Sequence, residues 1–527
     1  MDHIRAVLTH PEEMSVEARL NLHGVQQLLE QEGLPLAVCV ATELQSHDWQ
    51  AGDVLVVAEQ ECLTAAAEAA ICVVASDRPL VWCGLPREDA SPDLMRLLGI
   101  AGIGTSREGL LRRLELGEHP ICAPFDLDAE RRLKVKHIPH LQDQQRRIAG
   151  EPVLSLSLMD GHALGPGLVV REERPRRAVW TFPPGLLFAL ATCRHIDIRV
   201  DAEWLDWPLM TYADTLRGIL RETIRWSLPE LPLARKALWP RIDGRRPTAV
   251  GALTHDLCGY SEEGVRFICE TCERYGVHTT FFDMPPLRLD RGEVGDNCIA
   301  LHVSGGTSYE DIVLGLGALE ERHEREVPGW RRHGRTEIEH YPHIWRSMER
   351  AGVQWSNTFP TQSHPNRATC SPCGTSNRLP FDIMDLETGR RLELLELPIF
   401  DTDDADRLSN IAYGMRLTWE RFRDVVEQRL DYAAGRGLVA GYLLHGWTAG
   451  ATEEAGRTYG APDAKRMLGH FIEASRERGM ALMTGDEMHR WWQFRRRAEL
   501  QPGETSSIAM PGGEWTLEVE ALDPFGP

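Results

Sequence analysis

The sequence predicts a multidomain α/β protein. Two long stretches of the 527-residue chain alternate short apolar runs with helical segments, one near the N-terminus and one from Ala249 onward. Such alternation is typical of parallel sheets covered by helices. A segment rich in Pro and Arg, residues 234–248, separates the stretches and is typical of an interdomain connection. At about 100–200 residues per domain, the length allows two to four domains.

The first stretch begins with a helix. Residues 15–33 place their apolar side chains on one broad helical face, which predicts an amphipathic helix. Further predicted helices are residues 65–75 and 206–228, and the predicted strands are residues 34–40, 53–58, 79–85, 153–158, 167–172 and 177–183. The charged segment 126–147 is expected to be a surface excursion or linker.

The second stretch has clearer boundaries. A helix is predicted over 261–276, because Ser261 is a suitable N-cap and Gly276 a suitable C-terminal stop. The β-branched and aromatic run 277–284 is typical of a strand. The other predicted strands are residues 249–256, 298–305, 392–400, 437–446 and 480–485, and the other predicted helices are residues 309–325, 343–351, 417–434, 462–478 and 485–498. The tail, 499–527, has one strand-like piece, residues 515–522.

Composition limits the function. The net charge of −21, from 58 basic and 79 acidic side chains, repels phosphate backbones and argues against a nucleic-acid partner. Without an apolar run of 18 residues, we expect no membrane-spanning helix, and the polar N-terminal segment does not resemble a secretion signal. The chain is therefore expected to be cytoplasmic, with reduced thiols.

Polar residues end several predicted strands of the second stretch. Asp256 ends the first strand, His302 the third and His445 a later one, while His333 lies in a predicted loop, residues 329–335. Active sites of α/β proteins lie where strands end at their carboxyl edge. Two imidazoles and one carboxylate are a suitable ligand set for Zn²⁺ or a related divalent metal. A metal there would activate water for amide or ester hydrolysis, and a further histidine could protonate the leaving group.

Seven segments carry a resemblance to a known family. In chain order they are THDLCG (254–259), HTTFF (278–282), ALHVSGG (300–306), GWRRH (329–333), the helix and strand of 344–359, LELP (395–398) and LLHG (443–446). Their sequence and order resemble the polysaccharide deacetylases, the NodB-homology carbohydrate esterases. The resemblance covers about residues 249–498. It implies a distorted, incomplete (β/α) barrel that uses a divalent metal, Zn²⁺ by preference, to remove an acyl group from an N-acylated sugar.

The resemblance also implies roles for single residues. Asp256 matches the family's general base, His302 a metal ligand and His445 the general acid. Arg331 matches the arginine that orients the base. His333 would supply a second imidazole, as in a branch of the family that carries Arg-x-His at this point. The implied metal set is therefore Asp256, His302 and His333.

Two positions depart from the family's pattern. Leu257 stands next to the place of the metal-binding second aspartate, and Gly306 stands where the second histidine of the metal motif would fall. Asp256 would then act as ligand or as base, and Cys258 or Asp283 could provide another donor. The main hypothesis is an enzyme with a rearranged site. The alternative is a catalytically silent carbohydrate-binding or scaffold protein on the same fold.

A sugar or glycoconjugate is the expected partner. Trp447 follows His445 by two residues, and we expect its ring to line the substrate cleft because aromatic faces stack on sugar rings. The negative charge of the chain favours a neutral glycoconjugate over an anionic polymer. A homo-oligomer is compatible with the sequence.

The first stretch carries a weaker resemblance. VWCGLP (81–86) and FPPGLLFALA (182–191) resemble parts of glutamine-amidotransferase-like domains, which implies a flavodoxin-like fold. Cys83 is not expected to be a nucleophile, because Val81 and Leu85 stand where a nucleophile elbow has glycines. The predicted domains are a flavodoxin-like or amidotransferase-like domain over 1–125, a linker and the remainder of that α/β module over 126–245, the deacetylase-like barrel over 246–498 and the tail over 499–527.

Two CxxC pairs offer a rival metal site. Cys269 with Cys272 and Cys370 with Cys373 have the spacing of structural zinc ligands. The first pair lies inside a predicted helix, where two small buried thiols explain it equally well.

Overall fold

Two large, mostly parallel sheets organise the protein. The structure is a computed structural model. It describes residues 3–101, 112–135, 148–158, 163–193, 211–284, 289–303, 308–332, 343–359, 376–399, 402–404, 416–451, 461–499, 507–512 and 515–525. Helices pack against both sheets, so the predicted α/β class is confirmed.

The first sheet contains nine of the described strands. They are β1 (Arg5–His10), β2 (Leu36–Val40), β3 (Asp53–Val57), β4 (Leu80–Cys83), β5 (Arg112–Leu116), β6 (Arg132–Val135), β7 (Glu151–Leu158), β8 (Ala163–Arg171) and β9 (Arg177–Trp180). Their order is β2-β1-β3-β4-β9-β8-β7-β5-β6. Pairing is parallel from β2 to β9 and antiparallel from β9 to β6. The parallel part begins in the flavodoxin-like order 2-1-3-4, and the antiparallel extension departs from it.

The helices of this half follow the predicted alternation. They are α1 (Val16–Glu32), α2 (Ala65–Asp77), α3 (Pro92–Leu98), α4 (Asp128–Arg131), α5 (Pro184–Cys193) and α6 (Tyr212–Ser227), with 3₁₀ turns at Ala41–Ser46 and Pro120–Cys122. The side chain of Ser15 caps α1 by accepting a hydrogen bond from the amide of Ala18, 3.0 Å away, and Gly33 ends the helix in the left-handed region. Both features are typical helix boundaries.

The segment expected to be a surface excursion or linker, residues 126–147, has regular structure in the part that the structure describes. This segment contains α4 and then β6, which pairs with β5. Leu133 of β6 lies opposite Leu114 of β5, and both side chains are buried. Burial of Leu133 against the sheet therefore favours a strand here despite the charged neighbours in sequence. Residues 136–147 lie outside the described ranges.

The second sheet is parallel except at one edge. Its strands are β11 (Val250–Asp256), β12 (Thr280–Asp283), β13 (Cys298–Val303), β14 (Gly329–Arg332), β15 (Trp355–Ser356), β16 (Phe381–Met384), β17 (Arg391–Glu396), β18 (Thr402–Asp403), β19 (Val439–Leu443) and β20 (Ala481–Leu482). The order is β16-β17-β15-β14-β13-β12-β11-β19-β18, with β20 beside the start of β11. Only β16 runs antiparallel to its neighbour.

Chain geometry requires this sheet to curl. From β17 to β18 the sheet has seven steps between strands, which would separate its edges by about 34 Å if it were flat. Six residue steps join Glu396 to Thr402, and they reach at most about 23 Å. A Cβ on Gly441 of β19 would lie 2.1 Å from the carbonyl oxygen of Ile399, so this connecting segment packs directly on the far edge. The parallel strands from β17 to β18 thus curl into an incomplete (β/α) barrel of the kind that the family resemblance implies.

Helices surround the barrel. They are α7 (Glu262–Tyr275), α8 (Arg291–Val294), α9 (Tyr309–His323), α10 (His343–Arg350), α11 (Trp419–Arg436), α12 (Gly446–Ala449), α13 (Ala461–Glu477) and α14 (Gly485–Arg497). The predicted helices of this stretch are present within one or two residues. None of the described helices is long and apolar enough to span a lipid bilayer.

One predicted loop is a strand instead. The segment 329–335, which carries three arginines, is predicted to be a loop, but its described part forms β14. Trp330 and Arg331 are both buried, on alternate sides of the strand. The strand is therefore buried on both faces, and Arg331 belongs to a site rather than to the surface.

The two halves of the chain share buried polar contacts. The side chain of Gln27 in α1 donates to the carbonyl oxygen of Asp382 at 3.0 Å and accepts from its amide at 2.9 Å. Strand β10 (Leu233–Lys236), which follows α6, pairs with β23 (Val519–Leu522) of the tail. A two-stranded ladder of β21 (Ile508–Ala509) and β22 (Thr516–Leu517) completes the tail.

Candidate active site

The carboxyl ends of the barrel strands bring together polar residues from distant parts of the sequence. Asp256 ends β11, His302 and Arg331 lie at the ends of β13 and β14, and His445 follows β19. All four lie at the barrel edge where parallel (β/α) proteins hold their active sites. The apolar strands set this arrangement, since β11 is buried along its whole length.

Arg331 and Asp256 form a buried ion pair. Arg331 Nη1 donates to Asp256 Oδ1 at 2.6 Å, and Nη2 donates to the hydroxyl of Thr254 at 3.2 Å. The guanidinium also donates to the backbone and side-chain oxygens of Asn357 and lies over the ring of Phe282, 3.8 Å from its centroid. Five groups therefore fix Arg331, and through it the orientation of Asp256.

The charge of Asp256 is set by opposing effects. Burial alone would raise the pKa of this carboxyl, but the cation of Arg331, and then His302 and His445, more than offset it. The pKa of Asp256 therefore lies well below its ordinary value. The carboxylate stays ionised at every physiological pH.

His302 lies beside Asp256. The imidazole is buried, and its Nε2 lies 3.7 Å from Asp256 Oδ2. Strand pairing sets His302 opposite Arg331, so the ion pair and the imidazole share one face of the sheet. The structure thus brings Asp256, His302 and Arg331 together.

His445 forms a second pair, with Asp404. The imidazole Nδ1 lies 2.6 Å from Asp404 Oδ1, and the backbone amide of His445 donates to Oδ2 at 3.2 Å. Asp404 is fully buried. A carboxylate at Nδ1 favours the tautomer with its proton on Nδ1, which leaves Nε2 to exchange protons with a substrate.

Asp256 and His445 occupy equivalent positions on neighbouring strands. The last pair in the ladder between β11 and β19 joins Thr254 to Leu443. Asp256 lies two positions after Thr254, and His445 lies two positions after Leu443. Residues two apart on a strand lie on the same face, and neighbouring strands lie about 4.8 Å apart. An ionised carboxylate at the end of β11 and an imidazole just after β19 are therefore placed next to each other at the carboxyl edge of the barrel.

Sequence reasoning missed Asp404 and gave Glu396 no role. Asp404 follows a two-residue strand, too short for a periodic pattern to predict. Glu396 of β17 accepts hydrogen bonds from the amides of Thr358 and Phe359, both at 2.7 Å. Burial raises the pKa of Glu396 to about 7, although these amides and Arg331 oppose the shift. The position of Glu396 in the LELP motif was the available signal.

The remaining predicted residues have mixed outcomes. Trp447 is half-buried, with its ring 5.4 Å from the ring of His445, and it packs over Gly259. Both carboxylate oxygens of Asp283 accept hydrogen bonds from backbone amides, from Met284 at 2.9 Å and from Leu289 at 3.3 Å. His333 lies outside the described residues.

The donors in the described ranges do not complete a metal site. Arg331 holds one oxygen of Asp256, which leaves the other oxygen and the His302 imidazole as a pair of donors. Across these ranges no group of three or more His, Cys, Asp or Glu side chains is arranged to hold a metal. Catalytic zinc takes three protein ligands, so the pair alone does not fit. Cys269 and Cys272 lie on α7, and Cys370 and Cys373 fall outside the description.

Cys83 is expected to be chemically inert. It is fully buried at the end of β4, and burial raises the pKa of its thiol well above the ordinary value. Iodoacetamide treatment of the native protein followed by peptide mass spectrometry should label the half-buried Cys62 and leave Cys83 unmodified. Rapid labelling of Cys83 without unfolding would contradict this assignment.

The fold and the site define the class of this protein: an α/β protein whose C-terminal (β/α) barrel carries two buried polar pairs, Arg331 with Asp256 and His445 with Asp404, at its carboxyl edge. No protein-family model and no curated protein matches the chain. Among solved structures, a protein provisionally named a polysaccharide deacetylase, from Mycobacterium smegmatis, is 14% identical at a TM-score of 0.35; the alignment covers 51% of this chain and 99% of that one.

Two further solved structures are similar at the same low level. A polysaccharide deacetylase from Bacillus cereus is 11% identical at a TM-score of 0.27, with 46% of this chain and 94% of that one covered. An exo-β-1,4-mannosidase from an Opitutaceae bacterium is 10% identical at a TM-score of 0.26, with 35% and 32% covered.

Proposed function

We propose that the barrel hydrolyses the acyl group, N-acetyl in the simplest case, of a sugar or glycoconjugate. The observation that carries the proposal is the placement of Asp256 and His445 at equivalent positions of adjacent strands. Each has its own buried partner, Arg331 or Asp404. Amide hydrolysis needs a base that activates water and an acid that protonates the departing amine, and this pair can supply both.

The proposed reaction begins with water. The ionised Asp256 accepts a proton from a water molecule as its oxygen adds to the acyl carbonyl carbon. Arg331 keeps the carboxylate charged and oriented. The carbon–nitrogen bond then breaks while His445 Nε2 gives its proton to the amine nitrogen, so that the products are the carboxylic acid and the free amine. Asp404 stabilises the imidazolium form of His445 before that transfer.

The proposal also includes a divalent metal at the barrel site. The family resemblance implies Zn²⁺ on Asp256, His302 and His333. Asp256 would then be a ligand instead of the base, and the metal would polarise the carbonyl and lower the pKa of water. Purified protein is expected to contain about one divalent metal per chain by elemental analysis, and His302→Ala to remove it along with the activity. Full activity of a metal-free preparation would contradict the metal assignment but not the hydrolysis.

Activity on acylated sugars tests the function itself. We expect the purified chain to release acetate and a free amine from N-acetylhexosamine glycosides, and Asp256→Asn to abolish both products. The isosteric change keeps the hydrogen bond from Arg331 but removes the base. Unchanged turnover in Asp256→Asn would overturn the proposed mechanism.

A silent sugar-binding protein is the second candidate. It is favoured by Leu257, a buried apolar side chain next to the place where the resembling family has a metal-binding aspartate. This reading predicts that N-acetylated sugars bind without turnover, and that Trp447→Ala weakens their binding because the ring beside His445 is lost. Measured acetate release by the wild type would exclude it.

A further inference from the structure

The N-terminal half has its own cavity, about 270 Å³ in volume. It lies beyond the carboxyl ends of β3, β4 and β9, and the first turns of α1 and α5 form part of its wall. Open parallel sheets hold their ligands at this edge. The volume is near the low end of the roughly 300–1,000 Å³ typical of small-molecule sites.

A buried glutamine places an unused hydrogen-bond acceptor in the cavity wall. Gln60 is 5% exposed, and its Nε2 donates to the carbonyl oxygens of Cys83 at 2.6 Å and Val57 at 3.4 Å. These bonds fix the amide, whose Oε1 accepts no hydrogen bond from any residue in the described ranges. A Cβ on Gly84 would lie 2.5 Å from Oε1, so glycine there keeps the acceptor accessible. Oε1 therefore faces the cavity, where a bound molecule with an N–H group can donate a hydrogen bond to it.

Glu59 adds a buried carboxylate to the same wall. It is 4% exposed, and its Oε1 accepts from the amides of Gln60 at 2.9 Å and Glu61 at 2.6 Å. The backbone therefore holds one oxygen, and the side chain lines the cavity. Burial raises the pKa of Glu59 to about 7, although the two amides oppose the shift.

The charged residues around the cavity indicate the sign of the charge that its ligand carries. Among the described lining residues, the acids are Glu17 of α1, Glu59, Glu61 and Glu88, and the only base is Arg87, which pairs with Asp89 at 2.9 Å. The lining of α5 contributes only apolar contacts. A metal ion is disfavoured, because these acids are not arranged as a group that could hold one. The ligand therefore needs N–H donors and a positive charge, and apolar parts that contact Leu85, Pro86 and Leu186.

We propose that this cavity binds a small organic ammonium ion, with Glu59 and Gln60 accepting hydrogen bonds from its nitrogen. The site is separate from the barrel edge and uses none of the residues assigned to hydrolysis. The cation keeps Glu59 ionised, so binding releases a proton wherever free Glu59 is protonated. The other charged groups of the wall, Glu17, Glu61, Glu88 and Arg87, face the ligand as fixed charges.

Calorimetry on the full chain tests the site with a matched pair of probes. Glucamine (1-amino-1-deoxysorbitol) carries an ammonium on a hydroxylated chain, and sorbitol is the neutral counterpart. At pH 6.5 we expect glucamine to bind at least tenfold more tightly than sorbitol. The variant Glu59→Gln is expected to lower the affinity for glucamine at least tenfold. The control Glu13→Gln removes an exposed carboxylate of the same half and should leave the affinity unchanged.

A second measurement covers the case in which Glu59→Gln does not fold. Titrations of the wild type in paired buffers of different ionisation enthalpy, MES and phosphate at pH 6.5 and HEPPS and TAPS at pH 8.5, should report proton release at pH 6.5 and almost none at pH 8.5. Equal binding of sorbitol, no glucamine binding at millimolar concentration, or binding without proton release would each overturn the proposal. Acetate release at the barrel is independent of all three results.

Discussion

Replacing Arg331 with methionine is expected to lower the free energy of unfolding by about 3–5 kcal/mol at neutral pH, because the change leaves Asp256 buried without its cation. Arg331 Nη1 lies 2.6 Å from Asp256 Oδ1 and both side chains are buried. The variant should also lose hydrolytic activity by roughly 10²–10⁴-fold, the range for a misplaced general base. Urea denaturation and acetate release measure the two effects.

The stability loss should depend on pH in a defined direction. The cation of Arg331 holds the pKa of Asp256 below its unfolded value despite burial, so the pair stabilises the fold above that unfolded value, about 4. As the pH falls below about 4, protons bind the unfolded chain first and this stabilisation is lost. The difference between wild type and Arg331→Met should therefore be large at pH 7 and shrink toward pH 3.

An exposed ion pair provides the matched control. Arg96 lies 2.9 Å from Asp93 with both side chains largely exposed, and such pairs contribute about 0–1 kcal/mol. Arg96→Met should change stability by less than about 1 kcal/mol. A similarly small effect of Arg331→Met, with no pH dependence, would show that the buried pair does not support the site.

Replacing Asp404 with asparagine is expected to reduce kcat by roughly 10²–10⁴-fold with little change in KM. The carboxylate holds Nδ1 of His445 at 2.6 Å, and it stabilises the protonated imidazole that the proposed mechanism needs as its acid. His445→Asn should cost a similar factor. The double variant should be no worse than either single one, because the two side chains act as a unit.

The pH profile distinguishes a positioning role from a structural one. Without the neighbouring negative charge, the limb of the rate profile that His445 sets should move to lower pH in Asp404→Asn. The control is His470→Asn, since His470 lies 2.7 Å from Glu427 in a similar pair between α13 and α11. Its rate should match the wild type. A normal profile and rate in Asp404→Asn would remove His445 from the proposed chemistry.

Much of the local structure could be predicted from the sequence, because helices and strands have periods that short segments display. The helix over 261–276 and the strand ending at Asp256 are examples, since caps and apolar runs determine both. The strand β14 was missed because arginines are normally exposed, and only burial against its neighbours makes Arg331 an interior residue. Trp330 and Trp345 flank the site in sequence but lie in the core, with their rings 6.5 Å apart.

The sequence by itself determined the α/β class and the polar residues Asp256, His302 and His445 at strand ends, because these features depend on neighbours a few positions away. The pairing of Asp404 with His445, the five contacts of Arg331 and the N-terminal cavity with Glu59 and Gln60 were decided only by the tertiary structure. Each of these three features brings together residues from separate strands or from the segments that follow them. Their meeting depends on strand order and on the curl that brings β18 beside β19, and no local pattern of side chains encodes those distances.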